Sequence, residues 1–239
     1  MEHIMSTRSS HRMPEILLHY HGLPLAARLH NKIRYLTCPF DRIEPLVPAA
    51  GSIYDLGCGH GLFSLYLALT SARRTVIGCD ISEDKISIAR QAARNIHNVE
   101  FRHVDILNFA LLPAEAILLI DVLYLFSPGD QDRIIGACYT NLKPGGLLLV
   151  KTTDTSPRWK YAWAYAQEVL AVKILGITNG QRVQFRSQEE FAKIFSALHL
   201  HVHVERIDNG YLHPHILYVC RKEGINAPPV DRTTSVSAT

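Results

Sequence analysis

Ile53-Tyr54-Asp55-Leu56-Gly57-Cys58-Gly59-His60-Gly61 is the stretch on which the reading of this 239-residue chain turns. An apolar run ends in three alternate glycines, and a second apolar run opens directly behind them. The first, Ser52 to Leu56, reads as a buried strand and the second, Leu62 to Thr70, as a helix. The glycines therefore fall on a strand-to-helix turn. Glycine there lets the backbone bend sharply and approach a ligand with no Cβ in the way. Open α/β sheets take their ligands beyond the carboxyl ends of the strands, which is where this loop would stand.

Downstream, the same alternation continues. Thr75 to Cys79 reads as a second strand, Glu83 to Ile96 as a helix capped by Ser82, and Val99 to His103 as a third strand. A fourth apolar run, Ala116 to Ile120, leads into Asp121-Val122-Leu123-Tyr124. Then come a helix over Gln131 to Asn141, a Lys-Pro-Gly-Gly turn and a fifth strand, Leu147 to Val150. Strands alternating with helices predict a doubly wound, Rossmann-like α/β fold around a mostly parallel sheet. Beyond it an amphipathic stretch, Arg158 to Ile177, precedes a helix over Gln188 to Leu198. The strands Val202 to Ile207 and Ile216 to Arg221 follow, with Asp208-Asn209-Gly210-Tyr211 between them. The Asn-Gly pair predicts an antiparallel closing hairpin. Pro24 to Leu36 and Phe40 to Val47 read as short helices ahead of the first strand.

These elements define one domain over 13–222, with a helical N-terminal extension over 13–48, a cofactor-binding core over 50–152 and a helical insertion over 157–200. The flanking segments 1–12 and 223–239 are polar and Ser/Thr- or Pro-rich, and are expected to be disordered. The chain is 47% apolar and 20% charged, as in globular proteins, and its net charge of +3 is far from the dense basic patches of nucleic-acid binders. Its five cysteines are scattered without CxxC spacing, so neither a disulfide framework nor a zinc ribbon is expected. His201 and His203 alternate on one strand, yet no acid or thiol at ligand spacing accompanies them, and no metal is expected. The N-terminus lacks the apolar core of a signal peptide, and no run approaches the ~20 apolar residues that cross a bilayer. A cytoplasmic location is the expectation.

Two further acids stand where a nucleotide would need them. Asp80 closes the second strand about twenty residues beyond the glycine loop, placed to accept hydrogen bonds from both hydroxyls of a ribose. Because Ser82 is the better helix cap, Asp80 is left to face the ligand. Asp105 follows the third strand, where its carboxylate could accept an exocyclic adenine amine while Ile106 packs on the ring. A dinucleotide site wants a further glycine at position 62, which is Leu62. A pyrophosphate also wants no carboxylate nearby, whereas a cationic sulfonium ligand tolerates Asp55. The loop thus favours a sulfonium cofactor over a nicotinamide dinucleotide.

At these residues the chain resembles the class I S-adenosylmethionine-dependent methyltransferases. Ile-Tyr-Asp-Leu-Gly-Cys-Gly-His-Gly matches the family's first motif and Val-Ile-Gly-Cys-Asp80 its ribose strand. Val-Asp105-Ile106 matches its adenine strand, and Leu-Lys-Pro-Gly-Gly-Leu-Leu-Leu-Val its fifth-strand signature. The resemblance covers roughly residues 50 to 152 and implies S-adenosyl-L-methionine as cofactor. It places Gly57, Cys58, Gly59 and Gly61 at the methionine end, Asp80 at the ribose, and Asp105 and Ile106 at the adenine. Asp55, Ile81 and Asp121 complete the cofactor-binding set. The expected activity is methyl transfer to a small-molecule acceptor, with oxygen ahead of nitrogen or carbon. Leu125 stands where many small-molecule members have histidine, so the resemblance supplies no base. The Asp/Asn-Pro-Pro-Tyr motif of base-amino methylases is absent, since Asp121 is followed by Val-Leu-Tyr.

Candidate bases are Tyr124, His19 and Lys151, with His21 and Tyr35 behind them. The apolar stripe of Arg158 to Ile177, which includes Trp159 and Trp163, reads as a lid, as a helix packed on the sheet, or as a peripheral membrane contact suited to a lipid or quinone-like acceptor. A cofactor-binding regulatory or scaffolding protein without turnover would share every binding residue named above.

Overall fold

The computed structural model describes residues 12–154, 183–211 and 214–224. The stretch Arg158 to Ile177, and the segments 1–11 and 225–239, lie outside the described residues. Seven strands form one sheet: β1 (Gly51–Leu56), β2 (Arg74–Asp80), β3 (Val99–His103), β4 (Ala114–Ile120), β5 (Leu142–Thr153), β6 (His201–Arg206) and β7 (His215–Arg221). Their order is β3-β2-β1-β4-β5-β7-β6. The first five are parallel, while β7 runs antiparallel to both β5 and β6. This is the doubly wound sheet with a reversed closing pair that the alternation and the Asn-Gly turn predict.

Crossovers are made by α4 (Leu62–Thr70), α5 (Glu83–Ala92) and α6 (Pro128–Asn141). From β1 the chain winds outward to β2 and β3, then returns to β4 on β1's other flank, so the topological switch lies between β1 and β4. That is where open α/β sheets bind ligands. Side-chain alternation divides the core between the two faces: Ile53 joins one apolar cluster with Phe63 and Leu65 of α4, while Tyr54 and Leu56 join the other with Ile134 and Ile135 of α6. Helix α4 is buried nearly all round, from Leu62 to Ala68, which explains its apolar composition.

In front of β1 stand α1 (Arg12–Leu18), α2 (Leu25–Thr37), α3 (Phe40–Ile43) and a 3-10 turn, Glu44–Leu46. Buried Arg74 anchors this extension, donating to the carbonyls of Val47, Pro48 and Leu67, to Thr70 and to Glu44. His215 on β7 bonds the Thr37 carbonyl at 2.8 Å, tying α2 to the closing hairpin. The last described helix, α7 (Gln188–Ala197), begins with a reciprocal cap between Ser187 and Glu190. No described helix is long and apolar enough to cross a membrane.

Boundaries differ from the sequence reading where tertiary bonds outweigh pattern. Helix α5 stops at Ala92, and the chain turns through Ala93 to Ile96 with Ile96 N donating to the Ala93 carbonyl. Helix α6 starts at Pro128 because Ser127 caps it, accepting from Asp130 N. Lys143 to Gly146 lie within β5 as a bulge: pairing with β4 jumps from Leu142↔Ala114 to Leu147↔Ala116. The hairpin turn has Tyr211 N bonded to the Asp208 carbonyl and Gly210 at φ 88°, the left-handed position that a type II turn requires of its third residue.

Candidate active site

The glycine loop joins β1 to α4 at the carboxyl edge of the sheet. Gly57 N and Cys58 N both donate to the Cys79 carbonyl, at 2.7 and 2.9 Å, which pins the loop to the end of β2. Gly57, Gly59 and Gly61 have φ of 79°, 56° and 77°, a region closed to most side chains. Crowding distinguishes them. A Cβ at Gly57 would run into Val122, and one at Gly61 would lie 2.5 Å from the Phe101 ring, whereas one at Gly59 would meet nothing within 4 Å. The first and third glycines are therefore demanded by packing, and the middle one faces open space.

Asp80 fixes the middle of the loop. Its Oδ2 accepts from Gly59 N and its Oδ1 from Ser82 N, both at 2.9 Å. The carboxylate is thus already engaged by two amides, with lone pairs remaining for further donors. Ser82 caps α5 by accepting from Lys85 N. Ile81, next in the chain, is exposed. Asp105 closes an Asx turn beyond β3, accepting from Leu107 N and Asn108 Nδ2, and half-buried Ile106 packs against the second core cluster. Val104 N donates to the Asp80 carbonyl, so the ends of β2 and β3 are joined.

Asp55 is buried beneath the loop and accepts a 2.6 Å bond from Ser64 Oγ. Burial pushes its carboxyl up to about 6 despite that bond and the nearby Arg34 charge. Ser64 is the only small polar residue of α4 before Thr70, and its place two residues into an apolar helix was the available clue to this pairing.

Asp121 follows β4 with φ 56°, a left-handed conformation that Asp and Asn tolerate better than other L-residues. Lys151 Nζ donates to both of its oxygens at 2.7 and 2.6 Å, and Arg34 of α2 donates to Oδ2 at 2.7 Å. Burial alone would raise the carboxyl, but the two cations overcome this and hold it well below the usual carboxylate range. Arg34 was absent from the sequence reading; its signal is helical spacing, which sets it with Ala27 and Asn31 on the inner face of α2.

The extension also reaches the loop. Tyr20 donates to the His60 carbonyl at 2.8 Å, and the His30 and His60 rings meet edge to face at 4.8 Å. Burial lowers the His60 imidazole to about 4, aided by His30 and Lys85, so it is neutral at pH 7. Burial likewise drives the Cys58 thiol well up, leaving it protonated.

The candidate bases occupy three places. Buried Tyr124 packs against the Phe185 ring, tilted by 37° with centroids 4.8 Å apart, three residues beyond Asp121 and its partner Lys151. His19 and His21 line a cavity at the C-terminal end of α5, where His19 Nδ1 contacts the Ala92 carbonyl. Ten residues of helix, roughly 15 Å, separate that end from Ser82 and Asp80. Tyr35 packs against the first core cluster. His201 and His203 lie on exposed β6, with His201 paired to Glu223.

A seven-stranded sheet in this order, with a glycine loop after β1 and acids closing β2 and β3, is the fold of the class I S-adenosylmethionine-dependent methyltransferases. Residues 53–146 match the family model described as "Methyltransferase domain". The carboxy-S-adenosyl-L-methionine synthase of Actinobacillus succinogenes is 33% identical over 117 residues, covering 45% of this chain and 46% of that protein. The ubiquinone biosynthesis O-methyltransferase of Acinetobacter baumannii is 30% identical over 115 residues, covering 46% and 47%. The chain spans just under half the length of these curated relatives. Among solved structures, an O-methyltransferase family protein from Burkholderia thailandensis superposes with TM-score 0.68 at 19% identity, covering 90% of this chain and 68% of that one. Magnesium protoporphyrin IX methyltransferase from Synechocystis, solved with bound SAH, gives TM-score 0.60 at 17% identity, covering 87% and 94%.

Proposed function

We propose that this chain is an S-adenosylmethionine-dependent methyltransferase acting on a small-molecule acceptor, with an oxygen nucleophile favoured. The observation that carries the reading is the glycine loop, crowded behind Gly57 and Gly61 and open in front of Gly59, with Asp80 bonded to the Gly59 amide. An added Cβ at Gly59 would project into the very space left for a ligand. Three relatives or structural neighbours with methyltransferase in their names agree with it.

In this assignment Gly57, Cys58, Gly59 and Gly61 hold the methionine portion and Asp80 accepts from the ribose hydroxyls. Asp105 faces the adenine amine, and Ile81 and Ile106 give apolar surface to the ring. The bound cofactor supplies a methyl carbon activated by a sulfonium charge. The chain's own task is then to align a nucleophile and exclude water. Arg34, Asp121, Lys151 and Tyr124 border the acceptor side. Lys151 Nζ is committed to Asp121, so it serves there as an electrostatic anchor in preference to a base.

Calorimetry with S-adenosylmethionine, S-adenosylhomocysteine and NADH tests the cofactor. The two adenosyl ligands should bind and NADH should not; the reverse would overturn the reading. Native mass spectrometry of the purified protein identifies a retained ligand, and separates S-adenosylhomocysteine from the carboxylated cofactor named for the Actinobacillus relative.

A further inference from the structure

Helix α2 has two faces of opposite kind. At 3.6 residues per turn, Ala27, Asn31 and Arg34 share one side; Ala27 and Asn31 are buried against the fold and Arg34 reaches Asp121. Leu25, Leu29, Ile33 and Leu36 share the opposite side, exposed by 74, 56, 51 and 61%. This is an apolar stripe pointing away from the core, the reverse of what a helix packed only on its own domain shows. Lys32 falls within the stripe and Arg28 at its edge, and the helix contains no Asp or Glu. At its N-terminal end, the turn through His21 and Leu23 borders an open cavity of about 560 Å³ whose ionisable lining, among the described residues, is His19, His21, Arg90 and Arg94. Leu18, exposed, stands on the rim of the same cavity.

We infer that α2 is an interfacial helix that seats the protein on an anionic phospholipid bilayer. The four apolar side chains enter the boundary between headgroups and acyl chains, Lys32 and Arg28 extend to the phosphates, and the basic cavity accepts a headgroup. Charge selects this occupant over a second copy of the chain. A two-fold dimer through the stripe would bring the Arg28 and Lys32 side chains of both copies into one seam, with no acid on the helix to pair them. An anionic surface satisfies both the stripe and its cations. The inference concerns a surface outside the cofactor site and stands apart from the methyl-transfer reading.

Co-sedimentation of the full chain with vesicles tests it, comparing phosphatidylcholine alone with an equal mixture of phosphatidylcholine and phosphatidylglycerol. Binding should favour the mixed vesicles by about tenfold and weaken as salt is raised. Leu29→Glu with Ile33→Glu should lower the partition coefficient about a hundredfold, while the melting temperature stays near that of the parent because both residues are exposed. Arg28→Gln with Lys32→Gln should remove the preference for the mixed vesicles and leave residual binding to both. Failure of the parent chain to bind, equal binding to both vesicle types, or unchanged binding by the Leu29/Ile33 variant would overturn the inference. So would sedimentation velocity showing a dimer that the same variant dissolves, which would assign the stripe to a second copy.

Discussion

Asp55→Asn should stabilise the protein at pH 8 and leave its stability unchanged at pH 4. Burial raises the Asp55 carboxyl from 3.8 to about 6, so the folded state favours the protonated form. The free-energy difference is (6 − 3.8) × 1.36, or about 3 kcal/mol. For an acid whose folded value lies above its unfolded value, this cost is absent below about pH 4, grows between about 4 and 6, and is complete above that. Asparagine mimics the neutral acid, and its carbonyl can still accept the Ser64 hydroxyl now 2.6 Å from Oδ2. Urea unfolding across this range should show the variant more stable by up to about 3 kcal/mol at pH 8 and equal at pH 4. A variant less stable at pH 8, or a difference independent of pH, would refute the argument. Cofactor binding carries the opposite sign. A cationic ligand beside Asp55 favours its ionised form, so S-adenosylmethionine affinity should tighten from pH 5 to 7 with proton release. The variant should lose that dependence in calorimetry.

Gly61→Ala should destabilise by about 1 to 3 kcal/mol in urea unfolding, because its methyl would crowd the Phe101 ring at φ 77°. A Cβ at Gly59 meets no protein atom within 4 Å, so Gly59→Ala should cost only the backbone strain of φ 56°, about 1 kcal/mol, and Gly59→Val somewhat more, while both lose S-adenosylmethionine binding; normal affinity in a folded variant would count against the cofactor assignment. Asp80→Ala removes the acceptor for Gly59 N and for the proposed ribose, and calorimetric affinity should fall by roughly 1.5 to 3 kcal/mol. Asp121→Asn tolerates the left-handed backbone but leaves Lys151 and Arg34 without their anion, for a loss of roughly 3 to 5 kcal/mol in urea unfolding near pH 7. The Asp121 carboxyl is depressed, so its contribution is present above the unfolded value near 3.9 and lost as pH falls through the folded one. The deficit of the variant should therefore narrow only below about pH 4.

Strand β1, its glycines and α4 were legible because each is encoded by neighbours in sequence: an apolar run, a turn signal, another apolar run. That the sheet is mostly parallel followed from the alternation of strands with helices, whereas the strand order rests on pairings between segments distant in sequence. Asp80 illustrates where this stops. Its position at the end of β2 could be read, but its two partners are the amides of Gly59 and Ser82, and no side-chain letter announces a backbone donor. The same holds for Arg74, three of whose five partners are backbone carbonyls, those of Val47 and Pro48 before β1 and of Leu67 in α4. Helix α1 escaped notice because seven residues give too few turns for a period to show. The bulge over Lys143 to Gly146 read as a turn since Pro-Gly-Gly is turn chemistry whether or not a sheet continues through it.

Helix α2 joins the parts of the protein that sequence reading kept separate. One side of it carries the Arg34 bond to Asp121, and through Asp121 the link to Lys151 on β5; the other carries the exposed apolar stripe. Leu29 and Ile33 lie within about one and a half turns of Arg34 on the same helix, so a tilt imposed at either is carried to Arg34. Of the three charges in the cluster, Lys151 is fixed in the sheet and Asp121 follows β4 directly, while Arg34 alone belongs to the extension. On the proposed assignment, a surface that engages the stripe would act on the acceptor side through Arg34. Arg34→Lys keeps the charge but loses the planar, forked geometry, so it separates the two contributions. If the Arg34 contact positions α2 over the site, this variant should preserve cofactor affinity while altering acceptor turnover; weakened S-adenosylmethionine binding with normal turnover would show that α2 serves the cofactor instead.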